Sequence, residues 1–176
     1  MTRPVLVTLC GLPGTGKTTL ARAVAAALPA QHLRIDTIET AMKARGVSFD
    51  GPAGDAGYVV AYALARDSLA LGASVVVDAV HGWTKARKLW EAALDGVEAR
   101  HVIVELTCSD PAAHRKRIES RRADLRGLTL PTWKDVEARA YVSAAAPDLM
   151  IDTASTSKEA AEALILDIAR TAGARR

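Results

Sequence analysis

Residues 10–19, Cys10-Gly11-Leu12-Pro13-Gly14-Thr15-Gly16-Lys17-Thr18-Thr19, constrain this chain more than any other stretch. Gly11, Gly16, Lys17 and Thr18 fill the pattern G-x-x-x-x-G-K-[ST], in which a glycine-rich turn points backbone N–H groups into one concavity that cradles phosphate oxygens. The pattern has meaning only between a strand and a helix. Here an apolar, β-rich run from Pro4 to Cys10 leads in, and a helical pattern through Leu20, Val24, Ala27 and Leu28 leads out. A helix beginning near Gly16 adds its positive N-terminal end. Lys17 supplies a mobile positive charge for β- and γ-phosphates, and the Thr18 hydroxyl is placed for Mg²⁺. A turn that bound nothing would leave the Lys17 charge beside a helix end that repels it. The expected nucleotide-binding set is Gly11, Pro13, Gly14, Thr15, Gly16, Lys17, Thr18 and Thr19 in the loop, with Thr15 a loop filler and Thr19 a residue of the helix, joined by Arg117 and Thr153 from later in the chain.

The chain has 176 residues, enough for one domain (1–176) with an ample core. An apolar share of 49% suits a compact α/β protein, and a net charge of +3 fits the handling of anionic phosphates without indicating nucleic acid. Cys10 and Cys108 end apolar runs and read as buried reduced thiols of a cytoplasmic protein. The apolar run before the loop is too short for a signal peptide, and no stretch has the length of a membrane span.

Strand-like runs fall at 4–10, 33–36, 74–78, 101–107 and 148–152, and helical patterns at 17–28, 37–45, 55–71, 84–94, 110–122, 132–145 and 157–171. Val75-Val76-Val77 and Val102-Ile103-Val104 do not alternate, as expected of strands covered on both faces of a parallel sheet. Thr156 with Glu159 reads as a capping box ahead of an Ala161/Leu164/Ile165/Ile168 stripe. Alternating strands and helices predict a doubly wound α/β sandwich, with ligands beyond the carboxyl ends of the strands.

That rule selects Asp36 and Asp78. Asp36 ends the second run; it either faces the γ-phosphate and takes a proton from a substrate hydroxyl, or caps the following helix. Glu39, three residues on, is a further substrate-contact candidate. Asp78 ends the third run and suits Mg²⁺ directly or through water, an acceptor contact, or a turn. His81 and Trp83 follow it; His81 could serve as a general base but has no partner in the sequence, so it reads as exposed loop or substrate wall. Tyr58 and Tyr62 share a helical stripe that fits either an acceptor pocket or, more simply, core. Trp90 and Trp133 read as packing.

In His114-Arg115-Lys116-Arg117-Ile118-Glu119-Ser120-Arg121-Arg122, Glu119 accounts for Arg115 and Arg122 as surface pairs. Arg117 and Arg121 lie four apart on one helical face without carboxylate partners, which suits the migrating γ-phosphate. A lid over roughly 115–131 also carries Arg126 and closes on the triphosphate. Gly46–Gly57 reads as a mobile loop, so the acceptor region spans roughly 37–71. Asp152-Thr153-Ala154, after the last strand, would border adenine.

Across nearly its whole length the chain resembles the small P-loop kinases grouped with AAA-family ATPases, which are similar to chloramphenicol phosphotransferase and polynucleotide 5′-kinase domains. The matching pieces are Gly11–Thr19, Ile35-Asp36-Thr37-Ile38-Glu39, Val75-Val76-Val77-Asp78, the Arg117/Arg121 helix and Leu149-Met150-Ile151-Asp152-Thr153. The resemblance implies a P-loop NTPase fold with a five-stranded parallel sheet, MgATP as donor, Asp36 as base and paired lid arginines. Where polynucleotide kinases carry an Arg soon after the base, this chain has Glu39. The expected partners are therefore ATP and a hydroxyl-bearing small molecule, a metabolite or antibiotic. A polynucleotide or nucleoside 5′-hydroxyl kinase and a switch ATPase without acceptor are the alternatives.

Overall fold

The computed structural model describes residues 3–50, 54–82, 84–144 and 146–174. Trp83, Gly51 and Pro52 of the expected loops, and Arg175–Arg176 of the tail, lie outside them. The elements in chain order are β1 (Val5–Cys10), α1 (Lys17–Ala27), β2 (Gln31–Arg34), α2 (Ile35–Lys43), α3 (Ala56–Ala70), β3 (Val75–Asp78), α4 (Thr84–Leu94), β4 (Arg100–Thr107), α5 (Pro111–Ser120), α6 (Trp133–Glu137), β5 (Leu149–Asp152) and α7 (Lys158–Ala174).

All strand pairs are parallel, in the order β2-β3-β1-β4-β5. The central strand β1 is buried along its whole length. Its alternate residues face two separate cores. Val5, Val7 and Leu9 pack with Leu20 and Val24 of α1 and Ile165 of α7. Leu6 and Cys10 pack with Tyr62 and Leu69 of α3 and Trp90 of α4. Burying each such Val or Leu contributes about 1.5–3 kcal/mol. This two-sided burial explains why the Val75-Val76-Val77 run does not alternate, and it holds the turn after β1 rigidly at the carboxyl edge of the sheet.

Four local expectations need correction. The second strand ends at Arg34, so Asp36 sits in the first turn of α2 instead of on a strand end. Helix α5 ends at Ser120, because Arg121 is already extended at ψ 135°. The cap of α7 is Ser157, whose Oγ accepts from the Ala160 N–H at 3.2 Å, and Leu164 of the expected packing stripe is 48% exposed. Cys108 is only half-buried, while Cys10 is buried; among the described residues neither forms a disulfide.

Helix α6 covers five residues instead of the 132–145 pattern. Its start obeys local chemistry, with a Thr132/Asp135 capping box. Its end obeys tertiary chemistry. The buried Glu105 carboxylate of β4 accepts from the Tyr141 hydroxyl at 3.2 Å, the Ala144 N–H at 2.8 Å and the Ser143 hydroxyl, and the Val142 N–H donates to Gly82 at 3.0 Å. A buried carboxylate without donors costs several kcal/mol, more than a few turns of marginal helix return, so residues 141–144 are drawn to the sheet.

Candidate active site

A cleft of about 750 Å³ opens at the carboxyl ends of the strands. The phosphate loop forms one wall, α2 and Tyr58 of α3 the other, and residues 128–131 roof it. Two glycines make the loop possible. Gly11 has φ 138°, and a Cβ there would stand 2.3 Å from the Leu106 carbonyl oxygen. Gly14 has φ 84°, and its Cβ would meet Ile118 Cδ1 at 2.6 Å. Helix α5 therefore supports the loop from beneath, and His114 Nε2 donates to the Pro13 carbonyl at 2.7 Å. His114 was hidden inside a charge run; only its spacing from Ile118 on the apolar side of that helix hints at the role.

Pro13, Gly14, Gly16, Lys17, Thr18 and Thr19 line the cleft. Gly11 and Thr15 are buried behind it, Thr15 with its hydroxyl on the Leu12 carbonyl at 2.9 Å. Lys17 is buried, and its Nζ donates to the same carbonyl at 2.7 Å. Burial brings the Lys17 ammonium down to about 8, partly opposed by the Asp78 and Asp36 carboxylates.

Asp78, at the end of β3, is 4% exposed, and among the described residues its Oδ2 has no hydrogen-bond partner. His32 Nε2 and the Arg34 guanidinium Nε each stand 3.9 Å from that oxygen. Burial alone would raise its pKa, but His32, the Lys17 charge and the Thr18 hydroxyl outweigh this and hold it below the usual carboxylate range. An orphaned carboxylate oxygen beside the Thr18 hydroxyl is a hard-oxygen donor set, which fits Mg²⁺.

Asp36 lines the cleft opposite the loop with its side chain 46% exposed. It is not a helix cap; Arg34 holds that position and no side-chain cap bond forms. Its Oδ2 lies 3.2 Å from Arg34 Nη2 and 3.9 Å from Arg121 Nη2. Glu39, one turn on, also faces the cleft, and burial raises its carboxyl above the ordinary value. It packs against the bare face of Gly57, where a Cβ would approach its Cγ to 2.4 Å.

The two arginines do not share a helical face. Arg117 lies on α5 and donates to the Thr153 Oγ1 at 2.9 Å and carbonyl at 2.8 Å. Arg121 lies past the helix end, beside Asp36. Both line the cleft; Thr153 does not, and instead anchors Arg117. Arg126 and Arg122 differ likewise: Arg122 lines the cleft, Arg126 does not. Arg115 pairs with Glu119 at 2.7 Å as the spacing predicts.

Tyr58 lines the cleft, but Tyr62 and His81 form a layer behind it. His81 is 1% exposed, not an exposed loop residue, and adopts φ 53°. Its Nε2 is 2.5 Å from the Tyr62 hydroxyl, and it stacks edge-on to Trp90 at 4.5 Å. Burial pushes His81 down to about 3, so it stays neutral and packs where a wall residue was expected. Trp90 and Trp133 pack as expected, Trp133 edge-on to His114 at 5.3 Å.

A parallel sheet in this strand order, with a G-x-x-x-x-G-K-T loop leading from its central strand into a helix, is the α/β fold of P-loop NTPases. Residues 6–141 match the family described as an AAA domain, and the chain belongs to that family. No curated protein matches it by sequence. Among solved structures it is similar to the Mycobacterium tuberculosis APS kinase CysC in complex with AMPPNP and APS, at 19% identity and TM-score 0.75 over 97% of this chain and 99% of that one. It is also similar to Chaetomium thermophilum Kti12 in complex with ADP-AlF3 (17% identity, TM-score 0.71, 97% and 100% covered). A gluconokinase from Sinorhizobium meliloti 1021 is similar at 18% identity and TM-score 0.63, over 99% and 94%. At these identities the likeness shows the fold. Among the described residues, no helix is long and apolar enough to cross a membrane.

Proposed function

We propose that the chain is an ATP-dependent kinase that transfers the γ-phosphoryl group to a hydroxyl of a small molecule. One observation carries this reading: a single cleft places a phosphate loop with a buried lysine on one wall and the Asp36 carboxylate on the other. The kinds of ligand named for the similar structures, AMPPNP with APS and ADP-AlF3, agree with it.

In the proposed reaction the acceptor oxygen forms a bond to the γ-phosphorus while the bond from that phosphorus to the β–γ bridging oxygen breaks. ADP leaves, and Asp36 takes the hydroxyl proton. Lys17 and the Arg117 and Arg121 guanidinium groups, all lining the cleft, stabilise charge on the moving group. Mg²⁺, held by Thr18 and Asp78, would neutralise phosphate charge when bound. Glu39, Thr40 and Tyr58 bound the acceptor half. The Glu39 carboxylate there disfavours a phosphate-bearing acceptor such as a nucleic acid end and favours a neutral or cationic one.

The test is ADP release across a panel of hydroxyl-bearing metabolites, nucleosides, antibiotics and 5′-hydroxyl oligonucleotides. One or more small molecules should stimulate release, and Asp36→Asn should remove that stimulation by about two orders of magnitude or more with MgATP affinity retained. Stimulation by oligonucleotides alone, or ATP turnover indifferent to both the panel and Asp36→Asn, would overturn the proposal.

A further inference from the structure

Arg34 was invisible as a functional residue in the sequence. Its side chain is only 3% exposed and does not line the cleft, yet three carboxylates surround it. Its Nη1 donates to Asp124 Oδ2 at 2.7 Å, its Nη2 to Asp36 Oδ2 at 3.2 Å, and its Nε lies 3.9 Å from Asp78 Oδ2. Asp124 belongs to segment 121–131, which covers the cleft. The same Asp124 oxygen also accepts from Arg22 Nη2 of α1 at 2.7 Å. The two arginines hold the Asp124 carboxyl well below the usual range.

We infer that Arg34 is a positioning residue that couples the covering segment to the Asp36 carboxylate, with Asp124 as the latch. The guanidinium is a rigid planar fork, so its two terminal nitrogens cannot be aimed independently. With Asp124 in place, Nη1 is satisfied and Nη2 is directed at Asp36. With Asp124 withdrawn, a nearly buried Nη1 loses its acceptor, which is unfavourable, and the fork turns towards the remaining carboxylates. Among the described residues, both cationic groups within 4 Å of Asp36 approach Oδ2, and one of them, Arg121, lies on the covering segment itself. Closure of 121–131 and orientation of Asp36 are thus one event. The importance of that orientation for phosphoryl transfer rests on the reading of Asp36 as base; the coupling itself does not.

The experiment uses the full chain without ligand, so it stands whether or not the kinase reading does. Amide hydrogen exchange is measured over 121–131, and the Asp36 side-chain carboxyl ¹³C resonance, assigned by its loss in Asp36→Asn, is recorded alongside. Asp124→Asn should raise exchange over 121–131 by about tenfold, leave β1 and β4 protected, and shift the Asp36 resonance. Arg34→Lys should do the same despite keeping the charge, because one ammonium cannot span both carboxylates. If Arg34→Lys fails to fold, Asp124→Asn and Arg22→Met, which change partly exposed side chains, carry the test. Exchange at the wild-type rate in Asp124→Asn overturns the latch. Faster exchange with an unmoved Asp36 resonance overturns the coupling.

Discussion

Mild acid should destabilise this protein well before its carboxylates titrate, because two histidines are held neutral. Burial brings His81 to about 3 and His101 to about 4, against an ordinary value of 6.5. His101 is fixed by Thr8, whose hydroxyl is 2.9 Å from its Nε2, and Trp90 packs edge-on against it at 5.1 Å. Below about pH 6.5 the unfolded chain binds these two protons while the folded chain does not, so stability falls as pH falls. At about pH 5 each histidine accounts for about 2 kcal/mol, or about 4 kcal/mol together. For a chain of this size that is a loss of roughly 8–16 °C in Tm, towards the lower figure because His101 is not fully covered. The lowered carboxyls of Asp78, Asp124 and Asp152 contribute stability that is lost only below about pH 4, beneath this window. The raised Glu39 opposes the trend weakly, since protonation favours its folded form. Thermal unfolding followed by circular dichroism at intervals between about pH 7.5 and 5 measures the effect. His101→Gln, which keeps a partner for Thr8, should flatten the acid slope by about half. A Tm constant across that range would refute the burial argument for both histidines.

Lys17, brought down to about 8, should take up a proton when a triphosphate arrives, so at about pH 8 the calorimetric heat of MgATP binding should depend on the ionisation enthalpy of the buffer; identical heats in all buffers would contradict this. Gly14→Ala should cost about 1–3 kcal/mol, from the left-handed backbone and the Ile118 contact, and weaken MgATP binding, as read by urea unfolding and titration; an unchanged midpoint would contradict the packing of α5 beneath the loop. Gly57→Ala strains no backbone but displaces Glu39. It should leave MgATP affinity unchanged and raise the KM of whichever hydroxyl acceptor the panel identifies; a changed MgATP affinity with an unchanged acceptor KM would reverse the assignment of the two halves of the cleft.

The legible parts of this protein are those whose physics is local. The phosphate loop is a run of ten residues whose conformation follows from its own glycines, and the buried strands announce themselves by lacking alternation. Asp78 is legible because a parallel sheet brings its strand ends to one edge; Asp36 reaches the same edge from the first turn of α2, two residues past the end of β2. Arg121 departs from the helical spacing because α5 ends one residue before it, and α6 is shorter than its pattern because the Glu105 acceptor that draws 141–144 away lies on a distant strand. Arg34 is illegible in the sequence for the same reason. It is the last residue of a short strand, and its meaning depends on Asp124, which is 90 residues away. His81 reads as exposed loop or substrate wall in the sequence because one polar residue after a strand carries no local sign of the Tyr62 and Trp90 that enclose it.

Calorimetric titration of the purified chain with ATP in the presence of Mg²⁺, at two temperatures so that a vanishing enthalpy cannot hide binding, tests the central claim most directly. The account predicts a single saturable site that Lys17→Ala weakens by about tenfold or more. No uptake of ATP at either temperature, or a Lys17→Ala variant that binds as the natural chain does, would contradict it.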